Sequence, residues 1–143
     1  MATQPTSEYM LIFRGTHWFK GLSPEEIQQI VDQMHAWLDR LMAEGKAKTG
    51  QPLMFEGKIV SQKNGRVVSD GPFAESKEAI AGYFLLLVDS LDEAVRIAKD
   101  YPCLNYGATV EVRPVAPECA AALSLLDKVE EDEVSQAGAS RFD

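Results

Sequence analysis

The sequence predicts one α+β domain with the element order β-α-β-β-α-β, an antiparallel sheet that carries both helices on one face. Three observations predict this order: short apolar, β-prone runs, two segments that open with a helix-capping pattern, and an Asn-Gly dipeptide between two β-prone stretches. With 143 residues, 45% of them apolar and 25% charged, the chain has the size and composition of one globular domain.

The first strand and the first helix carry strong local signals. Residues 9–13 (YMLIF) form an apolar, β-prone run that an Arg-Gly pair ends. The motif SPEE at 23–26 combines an N-cap serine, a proline at the first helical position and a glutamate three residues after the cap. Apolar side chains then recur every three or four residues as far as Met42, and Gly45 is suited to the left-handed backbone that ends a helix.

A hairpin is expected next. The dipeptide Asn64-Gly65 favours a type I′ turn, and it separates residues 53–60 from residues 66–68, which we expect to pair as strands two and three. The remaining elements are an apolar fourth strand at 81–88, a second helix that begins at the SLDE motif of 90–93 and stops at Pro102, and a last strand at 109–113.

The fourth strand predicts a dimer. Its alternating residues are apolar on both faces, and the two helices of one chain cover only one of these faces. We therefore expect a homodimer in which two sheets face each other and bury the uncovered set. The two sets are Phe84, Leu86 and Val88 on one face and Tyr83, Leu85 and Leu87 on the other.

The ends of the chain differ from the body in composition. Residues 1–8 are polar and are expected to be frayed, so the domain proper is expected at 9–115. Residues 116–129 contain enough Ala and Leu for an extra C-terminal helix. Residues 130–143 are acidic, then small and polar, which favours disorder.

Charge and composition exclude several function classes. The net charge of −8 disfavours binding to nucleic acid and to anionic membranes. No apolar run approaches the roughly 18 to 20 residues of a membrane span, and no secretory leader follows Met1, so a cytoplasmic location is expected. Two cysteines without CxxC spacing and two distant histidines argue against a metal site, and the phosphate-binding and hydrolase motifs are missing, so no cofactor is expected.

The stretch VSDGPFAESKE at 68–78, followed by IAGYF at 80–84, resembles the signature of the YCII-related, DGPF-domain family. The segments VDSLDEA at 88–94 and VEVRPV at 110–115 are similar to the family's closing segments. The resemblance covers residues 9–115 and implies a ferredoxin-like fold that assembles as a dimeric α+β barrel. It also implies two kinds of role. Some members resemble dehydrochlorinase-type enzymes that act on hydroxylated aromatics through a His/Asp pair, and others accompany extracytoplasmic-function sigma factors.

Three residues are candidates for catalysis. His35 lies at the edge of the apolar stripe of the first helix, where the family also places its histidine, although Asp32 and Asp39 offer it local ion pairs instead. His17 lies in an aromatic loop after the first strand, where an ordinary exposed histidine is the more frequent case. Asp70 could hold one ring nitrogen of either histidine, or simply form the turn that Asp-Gly-Pro favours.

Candidate ligand-binding residues surround these three. Arg14 could clamp an anion with its guanidinium group, and Trp18 could line a pocket. Phe73 and Glu75 belong to the signature loop. Two hypotheses remain open. The first is a dimer with a small-molecule cleft that acts as a lyase-like or dehydrochlorinase-like enzyme, and the second is a non-catalytic regulatory module that binds a protein such as a sigma factor.

Overall fold

A computed structural model describes residues 7–71, 79–119 and 121. Their elements are β1 (Ser7–Arg14), α1 (Pro24–Ala43), β2 (Ala47–Pro52), β3 (Ile59–Lys63), β4 (Arg66–Asp70), β5 (Ile80–Val88), α2 (Leu91–Ala98), a 3₁₀ helix (Pro102–Tyr106) and β6 (Thr109–Pro114). Within these ranges, no helix has both the length and the hydropathy that a membrane span requires.

Four strands form the main sheet in the order β2-β5-β1-β6, and every neighbouring pair is antiparallel. Helix α1 connects β1 to β2, which lie on either side of β5. Helix α2 connects β5 to β6 in the same way, with β1 between them. The chain therefore has the predicted α+β class, with an antiparallel sheet and two helices.

One face of the sheet and both helices share a single core. Burial alternates along the central strands, and Leu11 of β1 pairs in register with Phe84 of β5 on the buried face. Leu86 and Val88 continue this face and are essentially without solvent exposure, as the predicted alternation of the fourth strand requires. The helices add Ile30, Trp37 and Leu41 from α1 and Ala94, Ile97 and Ala98 from α2.

The helix starts follow the sequence closely. Ser23 caps α1 in a complete capping box: its side chain accepts a hydrogen bond from the Glu26 amide, and the Glu26 side chain accepts one from the Ser23 amide. Ser90 caps α2 by accepting from the Glu93 amide at 3.1 Å. Gly45 follows α1 with a left-handed φ of 72°, which confirms the predicted helix end.

The expected second strand is wrong in position. The strand that joins the main sheet is β2, at 47–52, whereas residues 53–58 are not a strand. The Asn64-Gly65 turn is confirmed by positive φ values of 52° and 76°, but its hairpin, β3 with β4, forms a separate two-stranded sheet. The sequence of β2, AKTGQP, has little β-propensity, so this edge strand forms through its pairing with β5.

The predicted boundaries at the two ends fare differently. Strand β1 begins at Ser7, two residues before the expected start of order. Residues 116–119 are not helical, which removes the beginning of the expected C-terminal helix. Ala121 is helical, and the rest of 120–129, like the expected tail at 130–143, lies outside the described residues.

Candidate functional site

A cavity of about 230 Å³ lies between α1 and the β2–β5 edge of the main sheet. Its lining comes from five parts of the chain that the fold brings together: β1, the loop after it, α1, the paired strands β2 and β5, and the residue that precedes the 3₁₀ helix. Six of the lining residues are aromatic, namely Phe13, Trp18, Trp37, Tyr83, Phe84 and Tyr101. A concave site of this composition suits an apolar or aromatic group.

Three rings form the inner wall of this cavity. The Phe13 and Trp37 ring centroids lie 6.3 Å apart in an edge-to-face arrangement, and the Phe13 and Tyr101 centroids lie 4.6 Å apart. Trp37 and Tyr101 also contact each other, at 5.7 Å. All three residues are buried, so their mutual packing fixes the shape of the wall.

Gly50 shapes the wall at β2. A side chain at this position would overlap the Phe84 ring and would place its Cβ 2.6 Å from the Tyr83 carbonyl oxygen. Gly50 pairs in register with Phe84, so the missing side chain leaves the space in which that ring lies. The glycine that makes β2 hard to recognise in the sequence is thus part of the cavity.

Two sulfur atoms and the Tyr101 phenol lie in or next to the inner wall. The Cys103 thiol contacts the Met34 thioether at 3.4 Å, and Met34 itself lines the cavity. Burial raises the pKa of both Tyr101 and Cys103; the contact between the two adds to the rise for Tyr101 and offsets part of the rise for Cys103. Both groups are therefore uncharged at neutral pH.

His35 lies in the cavity wall on α1, next to Met34. It is an exposed residue, so its imidazole is open to solvent as well as to the cavity. The local ion pairs expected as the alternative role of His35 do not form. Neither Asp32 nor Asp39 is an ion-pair partner of His35, and all three residues are described. Asp32 instead accepts a hydrogen bond of 2.9 Å from Gln28.

His17 lies elsewhere, in an exposed aromatic cluster. Its Nδ1 is 3.2 Å from the Thr16 hydroxyl, and its ring stacks with Phe55 at a centroid distance of 6.0 Å. Phe19 lies at the same distance from His17 on its own loop. Trp18 belongs to the same loop but lines the cavity, as expected for a pocket residue.

The structure does not join Asp70 to either histidine within one chain. Asp70 ends β4, is exposed, and has an ion-pair distance of 4.0 Å to Lys63 across the hairpin. No hydrogen bond or ion pair connects it with His17 or His35, all three of which are described residues. A His/Asp pair would therefore need the Asp70 carboxylate of a second copy.

Arg14 is an ion-pair partner in the sheet. It pairs with Glu111 of β6, which lies opposite Ile12 on the face that the helices leave open. The cavity lies on the other side of this strand, where Phe13 is buried. Phe73 and Glu75, the other two expected ligand residues, lie outside the described part of the chain.

Sequence reasoning missed most of the cavity wall. In the sequence, Trp37, Tyr83 and Tyr101 are recognisable only as apolar residues, and nothing marks them as parts of one site. Gln51 belongs to β2, a strand that the sequence did not predict. Among the described residues, no cluster of three or more His, Cys, Asp or Glu side chains is placed to hold a metal ion.

A comparison with protein-family models identifies the YCII-related domain over residues 7–118. The chain belongs to the YCII-related family. A curated relative, an uncharacterized protein of Rhizobium meliloti (strain 1021), is 47% identical over 51 residues, which are 35% of this chain and 41% of that protein. The family match confirms the resemblance carried by the DGPF signature, and the match to the relative spans less than half of either chain.

Proposed function

We propose that this YCII-related protein binds a small, single-ring aromatic molecule in the cavity between α1 and the β2–β5 edge. The observation that supports it is the lining itself, in which six aromatic residues accompany His35. Stacking and edge contacts with aromatic rings favour an aromatic ligand. The His35 imidazole supplies a polar contact that would orient a ring hydroxyl.

His35 is the residue we propose for chemistry at this site. Its location in the wall supports a role as general base, because an imidazole there can accept the proton of a bound phenolic hydroxyl. The reaction class that this suggests is lyase-like or dehydrochlorinase-like turnover of a hydroxylated aromatic. Since Asp70 and His35 are not joined within one chain, the proposed His/Asp pair requires a carboxylate from a second copy.

We further propose a ferredoxin-like homodimer that forms through the open sheet face. The strand order and the connections by α1 and α2 support the ferredoxin-like arrangement. The open face has a partly buried apolar centre made of Met10, Ile12, Tyr83, Leu85 and Leu87. Charges of both signs surround this centre and pair within the chain, as Lys48–Glu8 and Arg14–Glu111, so the rim adds little net charge to oppose a second copy.

A second candidate function is a non-catalytic module that binds a protein such as an extracytoplasmic-function sigma factor. The observation that favours it is the apolar surface of the connection and hairpin between β2 and β5. Met54 is 78% exposed, Val60 is 66% exposed and Val67 is 72% exposed, so this segment presents apolar side chains that the described residues do not cover. A Met54→Ser, Val67→Ser variant should lose the protein partner and keep the cavity ligand.

Calorimetric titration with phenol tests the proposed function. We expect saturable binding of one phenol per chain, and we expect Ala81→Leu to weaken it at least tenfold because the larger side chain fills the cavity. An Ala79→Leu variant is the matched control, since Ala79 does not line this cavity. Absence of saturable binding to the folded wild-type protein would overturn the proposal. If turnover of a hydroxylated aromatic is found, His35→Asn should abolish it and His17→Asn should not.

A further inference from the structure

The polar groups in the described cavity wall are neutral or weakly basic. They are the imidazole of His35, the phenol of Tyr101 and the indole nitrogens of two tryptophans, whereas Gln51 and Tyr83 pair with each other in register on the open face of the sheet. No carboxylate, ammonium or guanidinium group lines the cavity in residues 7–71 and 79–119. A charged ligand would therefore lose part of its hydration without gaining a fixed counterion from the described part of the wall.

The orientation of β1 keeps the Arg14 cation away from the cavity. Phe13 and Arg14 are neighbours on the strand, and side chains alternate between faces, so the fold directs the ring to the cavity side and the guanidinium to the open face. Glu111 holds Arg14 there in an ion pair. The cation expected as an anion clamp is thus committed to the opposite face of the sheet.

The aromatic walls also favour uncharged ligands over anions. The faces of aromatic rings carry partial negative charge, so they attract neutral rings and repel anions that approach them. Burial and the Cys103 contact keep the Tyr101 phenol protonated, which adds a hydroxyl dipole but no cation to this part of the wall.

From these observations we infer that the cavity discriminates by charge: it binds uncharged single-ring aromatics and rejects aromatic carboxylates of the same shape. This inference rests on the proposed function, since it specifies the ligand class of the same cavity. Its structural basis is the juxtaposition of an aromatic wall and His35 on the cavity side with Arg14 on the far side of β1.

Calorimetry with benzamide and benzoate at pH 8 tests the inference, because the two probes have nearly the same shape and differ in charge. We expect benzamide to bind at least tenfold more tightly than benzoate. Equal or tighter binding of benzoate would overturn the inference, while phenol binding would still sustain the proposed function. If neither phenol nor benzamide binds, the proposed function fails as well, so the two failures are distinguishable.

A gain-of-function variant tests the charge discrimination independently. Pro52 is exposed at the end of β2, lines the cavity and shares a face with Gly50, so Pro52→Lys places an ammonium group at the mouth with little risk to the fold. We expect this variant to bind benzoate at least tenfold more tightly than the wild-type protein does, whereas the matched Pro52→Met variant should not. A benzoate affinity that is the same in both variants would contradict the inference, provided that their melting temperatures match that of the wild-type protein.

Discussion

Gly50 and Phe84 face each other across β2 and β5, and the phenyl ring occupies the space that a side chain at position 50 would need. The same ring lines the cavity, so a change at Gly50 or Phe84 affects both the stability of the sheet edge and the shape of the site. Phe84 cannot shift far, because it is 6% exposed and packed within the core.

We therefore predict that Gly50→Ala destabilises the protein by about 1–3 kcal/mol, the usual cost of overpacking. Urea unfolding followed by circular dichroism measures the change in the free energy of unfolding. Gly71→Ala is the matched control, because among the described residues a Cβ there meets only the Gly57 carbonyl oxygen, at an ordinary 3.6 Å. A Gly50→Ala variant as stable as the wild-type protein would show that Phe84 can move away from β2.

The buried phenol of Tyr101 predicts a loss of stability at alkaline pH. Its pKa is raised in the folded state, so the unfolded chain releases the phenolic proton first as the pH rises above about 10, and this favours unfolding. Below that pH both states keep the proton and the effect vanishes. At pH 11 the wild-type protein should have lost on the order of 1 kcal/mol more stability, relative to pH 7, than Tyr101→Phe.

Urea unfolding at pH 7 and pH 11 measures this difference. Tyr106→Phe serves as the control, since Tyr106 is 41% exposed and its hydroxyl is accessible to water in the folded protein. The same alkaline loss in wild-type protein and in Tyr101→Phe would refute the assignment.

The open sheet face predicts a dimer that one substitution disrupts. Leu85 lies near the centre of this face, opposite Met10 of β1, and Leu85→Glu would place two carboxylates in an apolar interface. We expect size-exclusion chromatography with light scattering to show a wild-type dimer and a monomeric Leu85→Glu variant at micromolar concentration. Met42→Glu, on the exposed side of α1, should remain a dimer. A wild-type monomer would contradict the proposal.

The composition of the C-terminal tail predicts that this segment is dispensable for folding. Residues 130–143 have too few apolar side chains to offset an ordering entropy of roughly 1–2 kcal/mol per residue. Truncation after Val129 should change the melting temperature in differential scanning calorimetry by only a few degrees. A large decrease would mean that the tail docks on the domain.

Much of the fold was predictable because its signals are local. Ser23 and Ser90 begin their helices through contacts within one turn, and Asn64-Gly65 determines its own backbone conformation. Strand β2 was not predictable in this way, because its residues have little β-propensity and it forms by pairing with β5, from Ala47 with Leu86 to Pro52 with Gly82, which are distant in the sequence.

The candidate site was predictable only in part. His35 and Trp18 line the cavity as their positions suggested, since a helix edge and a loop at a strand end are common places for a site. Asp70 was grouped with them by the signature motif, but the separate hairpin pairs it with Lys63. Trp37, Tyr83 and Tyr101 reach the cavity from three distant segments, so only the tertiary structure shows that they share a wall.

The central claim, that an aromatic ligand binds between α1 and the β2–β5 edge, is tested most directly by the two tryptophans of the chain, both of which line the cavity. In a ¹H–¹⁵N correlation spectrum they give two indole cross-peaks, which Trp18→Phe and Trp37→Phe assign. On titration with phenol we predict that both indole peaks shift and that they saturate with one common dissociation constant. Indole peaks that stay in place while phenol binds, or that shift without saturation, would contradict the account.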